Sequence, residues 1–290
     1  MPSSSQPQIV TQLPVLPPRP PDSNKGSFGK VLIVAGSRGM SGAAVLAGSA
    51  ALRGGAGLVR VAVPAGVLPI VACANPCYLT APLPEDADGR VSAQAEEEIS
   101  RLMDGWDVAA IGPGFGRGQG VTSVVHDALR RLTAPLVLDA DGLNTLEGNA
   151  EPLRQRQAPL IITPHPGEFA RLTGKSIAEI QQRRQELAVA FAAKHRLVLV
   201  LKGHGTIVTD GRRLYVNTTG NPGMATGGTG DVLTGLIAAL LGQGLEPFAA
   251  AQLGVHRHGL AGDLARDHVG AVGMIASDLL TYLPQAARTF

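Results

Sequence analysis

A three-layer α/β/α sandwich around a mainly parallel central sheet is the fold class this sequence predicts. Three observations carry it. Short, continuously apolar runs alternate with helical stretches, the pattern of strands covered on both faces. Glycine is abundant, at 37 of 290 residues, and aromatics make up only 3% against 44% hydrophobic residues, so the core is built from Ala, Val, Leu and Ile. The polar and glycine-rich signatures collect at the carboxyl ends of the apolar runs, where open α/β sheets bind their ligands.

The elements follow in chain order. Residues 1–24 are a proline-rich extended arm, with seven prolines among residues 1–21 and no apolar stretch of the kind a signal peptide needs. Residues 25–290 form one domain, with no linker-like change of composition and no internal repeat. "KVLIVAG" (30–36) is a strand ending in glycine, and "SGAAVLAGSAALRGGAG" (41–57) is an alanine-rich helix stopped by glycines. "LVRVAVP" (58–64) is the next strand. "DVAAIGPGFG" (107–116) is a strand opening into a glycine loop, and "VTSVVHDALRRL" (121–132) carries its apolar residues at helical spacing. "PLVLDADGLN" (135–144) is a strand ending in two acids, "PLIITPHPGEF" (159–169) is another strand, and a helix covers 176–194. "LVLVLKG" (197–203) is a strand, and residues 205–217 form a hairpin turning at Asp210–Gly211. Two helices follow, from Asp231 and from about Pro247.

Several function classes are excluded. Twenty-five basic and 23 acidic residues leave a net charge of +2, too balanced for a nucleic-acid surface. Two cysteines, in "CANPC" (73–77), are too few for a disulfide scaffold or a metal site and read as reduced core thiols in a reducing compartment. No apolar run reaches the roughly 20 residues that span a bilayer, so a cytoplasmic location is expected. G-x-S-x-G, H-E-x-x-H and the P-loop string are missing, and the first strand leads into "GSRGMSG" rather than G-x-G-x-x-G. His256 and His258 are two residues apart in a helical stretch, so they do not share a face and make a poor metal pair.

The loops carry the chemistry. "GGTGD" (227–231) precedes a run of aliphatic residues at helical spacing. A helix N-terminus offers unpaired N–H groups and about half a positive charge, and glycines let a phosphate approach them. Asp231 at the edge of that anion hole is either the helix cap or a base that takes a proton from a hydroxyl attacking phosphorus. "KGHGT" (202–206) suits a nucleotide phosphate or ribose, or is a plain turn. In "TPHPGE" two prolines hold His165 stiffly, which favours a ligand contact over a solvated loop. "IGPGFG" brings backbone close to a ligand at Gly112 and Gly114. "DADGLN" offers Asp139, Asp141 and Asn144 to Mg2+, ribose hydroxyls or an amide, with helix capping by Asp141 the alternative.

Taken together, "KGSFGKVLIVAGS", "IGPGFG", "LDADGLN", "TPHPGEFARLTG", "VLKGHGTIV" and "TGNPGMATGGTGDVLTGLIAALL" closely resemble the ADP/ATP-dependent NAD(P)H-hydrate dehydratase family of the ribokinase-like superfamily, over about residues 25–285. The resemblance implies a metabolite-repair lyase that phosphorylates the hydroxyl of hydrated NADH or NADPH, in the S form at C6, so that phosphate can leave. It implies that Lys202, Gly203, His204, Gly205 and Thr206, with Gly228, Thr229 and Gly230, bind ADP or ATP, with Mg2+ bridging the phosphates and no protein metal ligand assigned. Ala43, Gly114, His165 and Asp231 match positions that bind the hydrated nicotinamide nucleotide, Asn144 is placed near them, and Asp231 is implied as the catalytic base. A homotetramer is implied too. Relatives with a fused epimerase domain differ from this chain, which has no N-terminal region of that size, so epimerisation is expected of a separate protein. The alternative is a ribokinase-like kinase of a vitamin precursor or sugar, which would release a phosphorylated product. A Rossmann oxidoreductase would instead exchange hydride without ADP or ATP.

Overall fold

The computed structural model describes residues 6–289. Ten strands form one sheet: β1 (Gln8–Ile9), β2 (Lys30–Val34), β3 (Leu58–Pro64), β4 (Leu79–Leu83), β5 (Val108–Ile111), β6 (Leu136–Leu138), β7 (Leu160–Ile162), β8 (Val198–Leu201), β9 (Ile207–Thr209) and β10 (Arg213–Val216). Their order is β1-β10-β9-β8-β7-β6-β5-β2-β3-β4, and β9 alone runs against its neighbours. Alternate side chains of a strand serve opposite faces. Val31 and Ile33 of β2 therefore enter one core, and Leu32 and Val34 the other. Helices Ser41–Arg53, Thr229–Gly242, Pro247–Val269 and Ala276–Ala286 cover the first face. Helices Ala95–Met103, Gln119–Arg131, Pro166–Thr173 and Arg184–His195 cover the second. The three-layer sandwich expected from the sequence is the observed one.

Helix Thr229–Gly242 explains the composition. Every residue from Val232 to Leu241 is buried, as expected of a helix that is apolar all round. It packs on β2, β5 and β6 beside helix Ser41–Arg53, which rests on β2 and β3, and the two helices approach through small residues. A Cβ added at Gly235 would sit 1.9 Å from the Ala47 carbonyl oxygen. Gly235→Val is therefore expected to lower stability by about 3 kcal/mol through forced separation of the two backbones. A urea titration measures it, and a loss under 1 kcal/mol would mean that the contact is slack.

Details differ from the sequence expectations. The helix expected over 176–194 is two, Ile177–Gln182 and Arg184–His195, because Arg183 leaves helical geometry at φ −124° and ψ 35°. Strand β4 was not expected: it is an exposed edge strand interrupted by Pro82. Helix Ala276–Ala286 was likewise not foreseen. Cys73 and Cys77 are free but exposed, not core thiols, since helix Leu68–Ala74 buries only Val71.

The arm, of which residues 1–5 lie outside the described residues, is extended and docked. The Gln8 and Val10 amides donate to Arg212 and Leu214 carbonyls at 2.8 Å. Val10, Leu13 and Leu16 pack on the first core, and Gln252 donates to the Gln12 carbonyl at 2.8 Å.

Candidate active site

Because β5, β6, β7 and β8 are parallel in register, their four following loops emerge on one side. The N-terminus of helix Thr229–Gly242 meets them there. Lys202, just beyond β8, places its Nζ 2.8 Å from Asp139 Oδ1 and 3.8 Å from Glu168 Oε2. Thr234, one turn into the helix, donates to Asp139 Oδ2 at 2.6 Å. Burial opposes the charge on Asp139, but Lys202 and Thr234 hold its carboxyl below the usual range. Burial likewise opposes the Lys202 ammonium, which Asp139 and Glu168 hold above its usual range. Glu168, farther from the ammonium, is pushed up by burial. Lys202, its side chain 18% exposed, is thus a partly buried cation at the cleft floor and not the exposed lysine of a plain turn.

Asp231 sits over this cluster. The helix cap is Gly228, at φ 92°, with no side-chain capping bond, so Asp231 is a first-turn residue rather than the cap. Among the described residues none donates a hydrogen bond to its carboxylate. A helix N-terminus normally favours a carboxylate. Here burial, then the charge of Asp139, outweighs that, and the Asp231 carboxyl is pushed up to about 7. Lys202 pulls the other way, while Asp141 and Glu168 add to the rise. The result is an unpartnered carboxylate poised to exchange a proton near neutral pH.

Two walls rise from Asp231. On one side a cavity of about 630 Å³ is lined by Lys202, Gly203, His204, Gly205, Thr206, Thr229 and Gly230. A Cβ at Gly230 would lie 3.3 Å from Lys202 Nζ, so these two loops face each other closely. Gly228 is not part of the lining but abuts Leu46 and Ala276 behind the loop. On the other side Gly114, at φ 65°, faces Ala43: a Cβ there would come within 2.8 Å of the Ala43 Cβ. His165 caps helix Pro166–Thr173, its Nδ1 accepting from the Gly167 and Glu168 amides at 3.0 and 3.3 Å. That leaves the proton of the neutral ring on Nε2, 3.4 Å from Glu168 Oε1. Burial and Lys202 lower the His165 pKa, so the ring is neutral at pH 7.

Asn144 is engaged internally, donating to Asp141 at 3.1 Å and accepting from Arg171 at 2.9 Å. Asp141 accepts from the Gly116 amide at 2.8 Å, so it ties the IGPGFG loop to its own loop instead of capping a helix. Between the two acids Ala140 holds φ 51°, one of only two non-glycine residues with positive φ among the described residues. Strain of that kind persists where the surroundings over-determine it, and here Asp139 and Asp141 pin it from both sides.

Sequence reasoning passed over Glu168 as a charge partner, Thr234, and His258. Glu168 and Thr234 look like ordinary helix residues until the fold brings them to Asp139. His258 supports the glycine loop, its Nε2 2.8 Å from the Thr229 carbonyl. Burial pushes its pKa down to about 4, so the neutral ring donates that bond. His256 instead contacts the Tyr215 hydroxyl at 3.3 Å, which separates the two histidines as their spacing implied.

The fold and this cleft define a class: a ribokinase-like α/β protein, here with a half-buried acid at a glycine-lined helix N-terminus. A family profile described as NAD(P)H-hydrate dehydratase matches residues 31–285. The bifunctional NAD(P)H-hydrate repair enzyme of Moorella thermoacetica is 47% identical over 275 residues, covering 94% of this chain and 52% of that protein. The chain thus spans about half the length of such relatives. The ADP-dependent (S)-NAD(P)H-hydrate dehydratase of Neisseria meningitidis is 38% identical over 90% of this chain and 86% of its own. The Bacillus subtilis ADP/ATP-dependent NAD(P)H-hydrate dehydratase, co-crystallised with ATP/Mg2+, superposes with a TM-score of 0.83 at 34% identity over 94% of each chain. The chain belongs to the NAD(P)H-hydrate dehydratase family.

Proposed function

We propose that the chain repairs the S form of hydrated NADH and NADPH, using ADP, or ATP, to turn a hydroxyl into a leaving group. The observation that carries this reading is the unpartnered Asp231 carboxylate, poised near neutral pH between the two walls. The nucleotide occupies the cavity beside Lys202–Thr206, with its phosphates at the Gly228–Gly230 loop. The hydrated ring lies against Ala43, Gly114 and His165, with Asn144 fixing the neighbouring loop. The ring hydroxyl attacks the terminal phosphorus and its proton passes to Asp231. The P–O bond to AMP or ADP breaks. The C6–O bond then breaks with loss of a proton from C5, releasing phosphate and restoring the double bond.

The acids around Asp231 outnumber the one ammonium, an arrangement that suits a cation. Among the described residues no three His, Cys, Asp or Glu side chains are grouped to hold a metal. A bound Mg2+ would take phosphate oxygens and water as its main ligands and neutralise the transferring phosphoryl group. ADP is the expected donor, as in the name of the Neisseria relative. A homotetramer, a separate epimerase acting on the other epimer, and a cytoplasmic location complete the reading. Among the described residues no helix is long and apolar enough to cross a membrane. Light scattering after gel filtration tests the assembly.

The direct test mixes the protein with S-hydrated NADH, Mg2+ and ADP or ATP. NADH absorbance should recover in step with released phosphate. A phosphorylated product that accumulates would make it a kinase, and no turnover with either donor would remove the proposal. Because Asp231 accepts a proton only when ionised, kcat/KM should climb through a limb near pH 7 and level above it.

A further inference from the structure

A second cavity, of about 400 Å³, lies at the opposite end of the buried helix that carries Asp231. Fourteen residues separate the helix ends, about 20 Å at 1.5 Å per residue. Three arginines wall it: Arg19 of the N-terminal arm, Arg53 in the last turn of helix Ser41–Arg53, and Arg257 of helix Pro247–Val269. Among the described residues no acidic side chain lines it. Arg257 is 7% exposed, and its Nε is sealed from solvent with no hydrogen-bond partner. Among the described residues no acceptor or carboxylate engages the guanidinium of Arg53 or Arg257. Arg19 is engaged: it donates to the Gly55 carbonyl and to Gln243 Oε1 and lies 3.8 Å from the centre of the Phe28 ring.

Helix C-termini offset part of these charges. The helices ending at Gly54, Gln243 and Ala287 all point their carbonyl ends here. Each contributes about half a negative charge, roughly 1.5 against three guanidiniums. Among the described residues about 1.5 positive charges remain; Arg19 and Arg53 are exposed and share theirs with solvent, whereas Arg257 is buried without a partner, which is the costly kind. A phosphate group carries about that charge at neutral pH and matches the guanidinium fork.

We propose that this cavity binds a phosphate-class oxyanion, either inorganic phosphate or the phosphomonoester end of a small metabolite, between Arg53 and Arg257. The ligand would fasten the arm, since Val15, Leu16 and Arg19 of the arm line the cavity. Hydrogen exchange tests it at the Gln8 and Val10 amides, which hold the arm to β10. The probes are inorganic phosphate and glycerol 3-phosphate, each compared with chloride at matched ionic strength. At a probe concentration about twice its Kd, exchange should slow about threefold. Arg53→Gln, at an exposed position, and Arg257→Met should both abolish the slowing while leaving turnover intact. An effect of both probes makes free phosphate sufficient, and an effect of glycerol 3-phosphate alone assigns the phosphomonoester. No slowing with either probe, or slowing that persists in Arg53→Gln, overturns the proposal.

Discussion

Asp231→Asn is expected to lower kcat by a factor on the order of 10²–10⁴ while leaving nucleotide affinity within a few-fold. The amide keeps the shape of the carboxylate but cannot take the proton. A second consequence separates a base from a structural acid. The native carboxyl is pushed up to about 7 from an ordinary 3.8. Between those values the unfolded chain ionises and the native one does not. The stability this group contributes is therefore full below pH 3.8 and is lost as pH rises to about 7. The shift corresponds to roughly 4 kcal/mol at most. Asp231→Asn should thus be more stable than the parent at pH 8, with the advantage shrinking to nothing near pH 4. Urea titrations at the two pH values, paired with turnover, read both effects. A variant that is active within a few-fold, or less stable at pH 8, would return Asp231 to a structural role.

Lys202→Met should destabilise the fold by about 3–5 kcal/mol at pH 7, because it strands buried carboxylates. Asp139 loses the ammonium 2.8 Å away and Glu168 the one 3.8 Å away. The pH dependence is again diagnostic. Burial already pushes Glu168 up, so lowering the pH protonates it first and relieves part of the strain. The deficit against the parent should narrow as pH falls toward about 4. A deficit below 1 kcal/mol at pH 7, or one independent of pH, would mean that water reaches the acids and screens them.

The order of strands and helices on either side of the sheet was largely legible, because runs such as "KVLIV" and "LVRVAVP" announce buried strands by themselves. Edge strand β4 was not, since Pro82 and its exposed side chains lack the apolar signature. The loops after β5, β6, β7 and β8 emerge on one side, Gly230 faces Lys202, and Gly114 faces Ala43. What the sequence could not display was the pairing among them. Glu168 and Asp139 lie 29 positions apart, and only the parallel register of β6 and β7 brings both to one ammonium. Asp231's two readings differ by one helical turn, a distance that only the backbone at Gly228 decides. The arginine cavity was invisible for a related reason: its three cations come from the arm and from two helices distant in sequence.

The contact between Gly235 and Ala47 has a mechanical consequence. Two backbones with no side chain between them have almost no compliance along their line of contact. Asp231 rides on one and Ala43 on the other, so the spacing between them is stiff and set by van der Waals radii. Whatever give the cleft has must lie in its loops. Adaptation to a different temperature, or to a differently shaped hydroxyl, would then proceed by altering the loops at Gly114, His165 and His204, with the spacing of the two helices held constant.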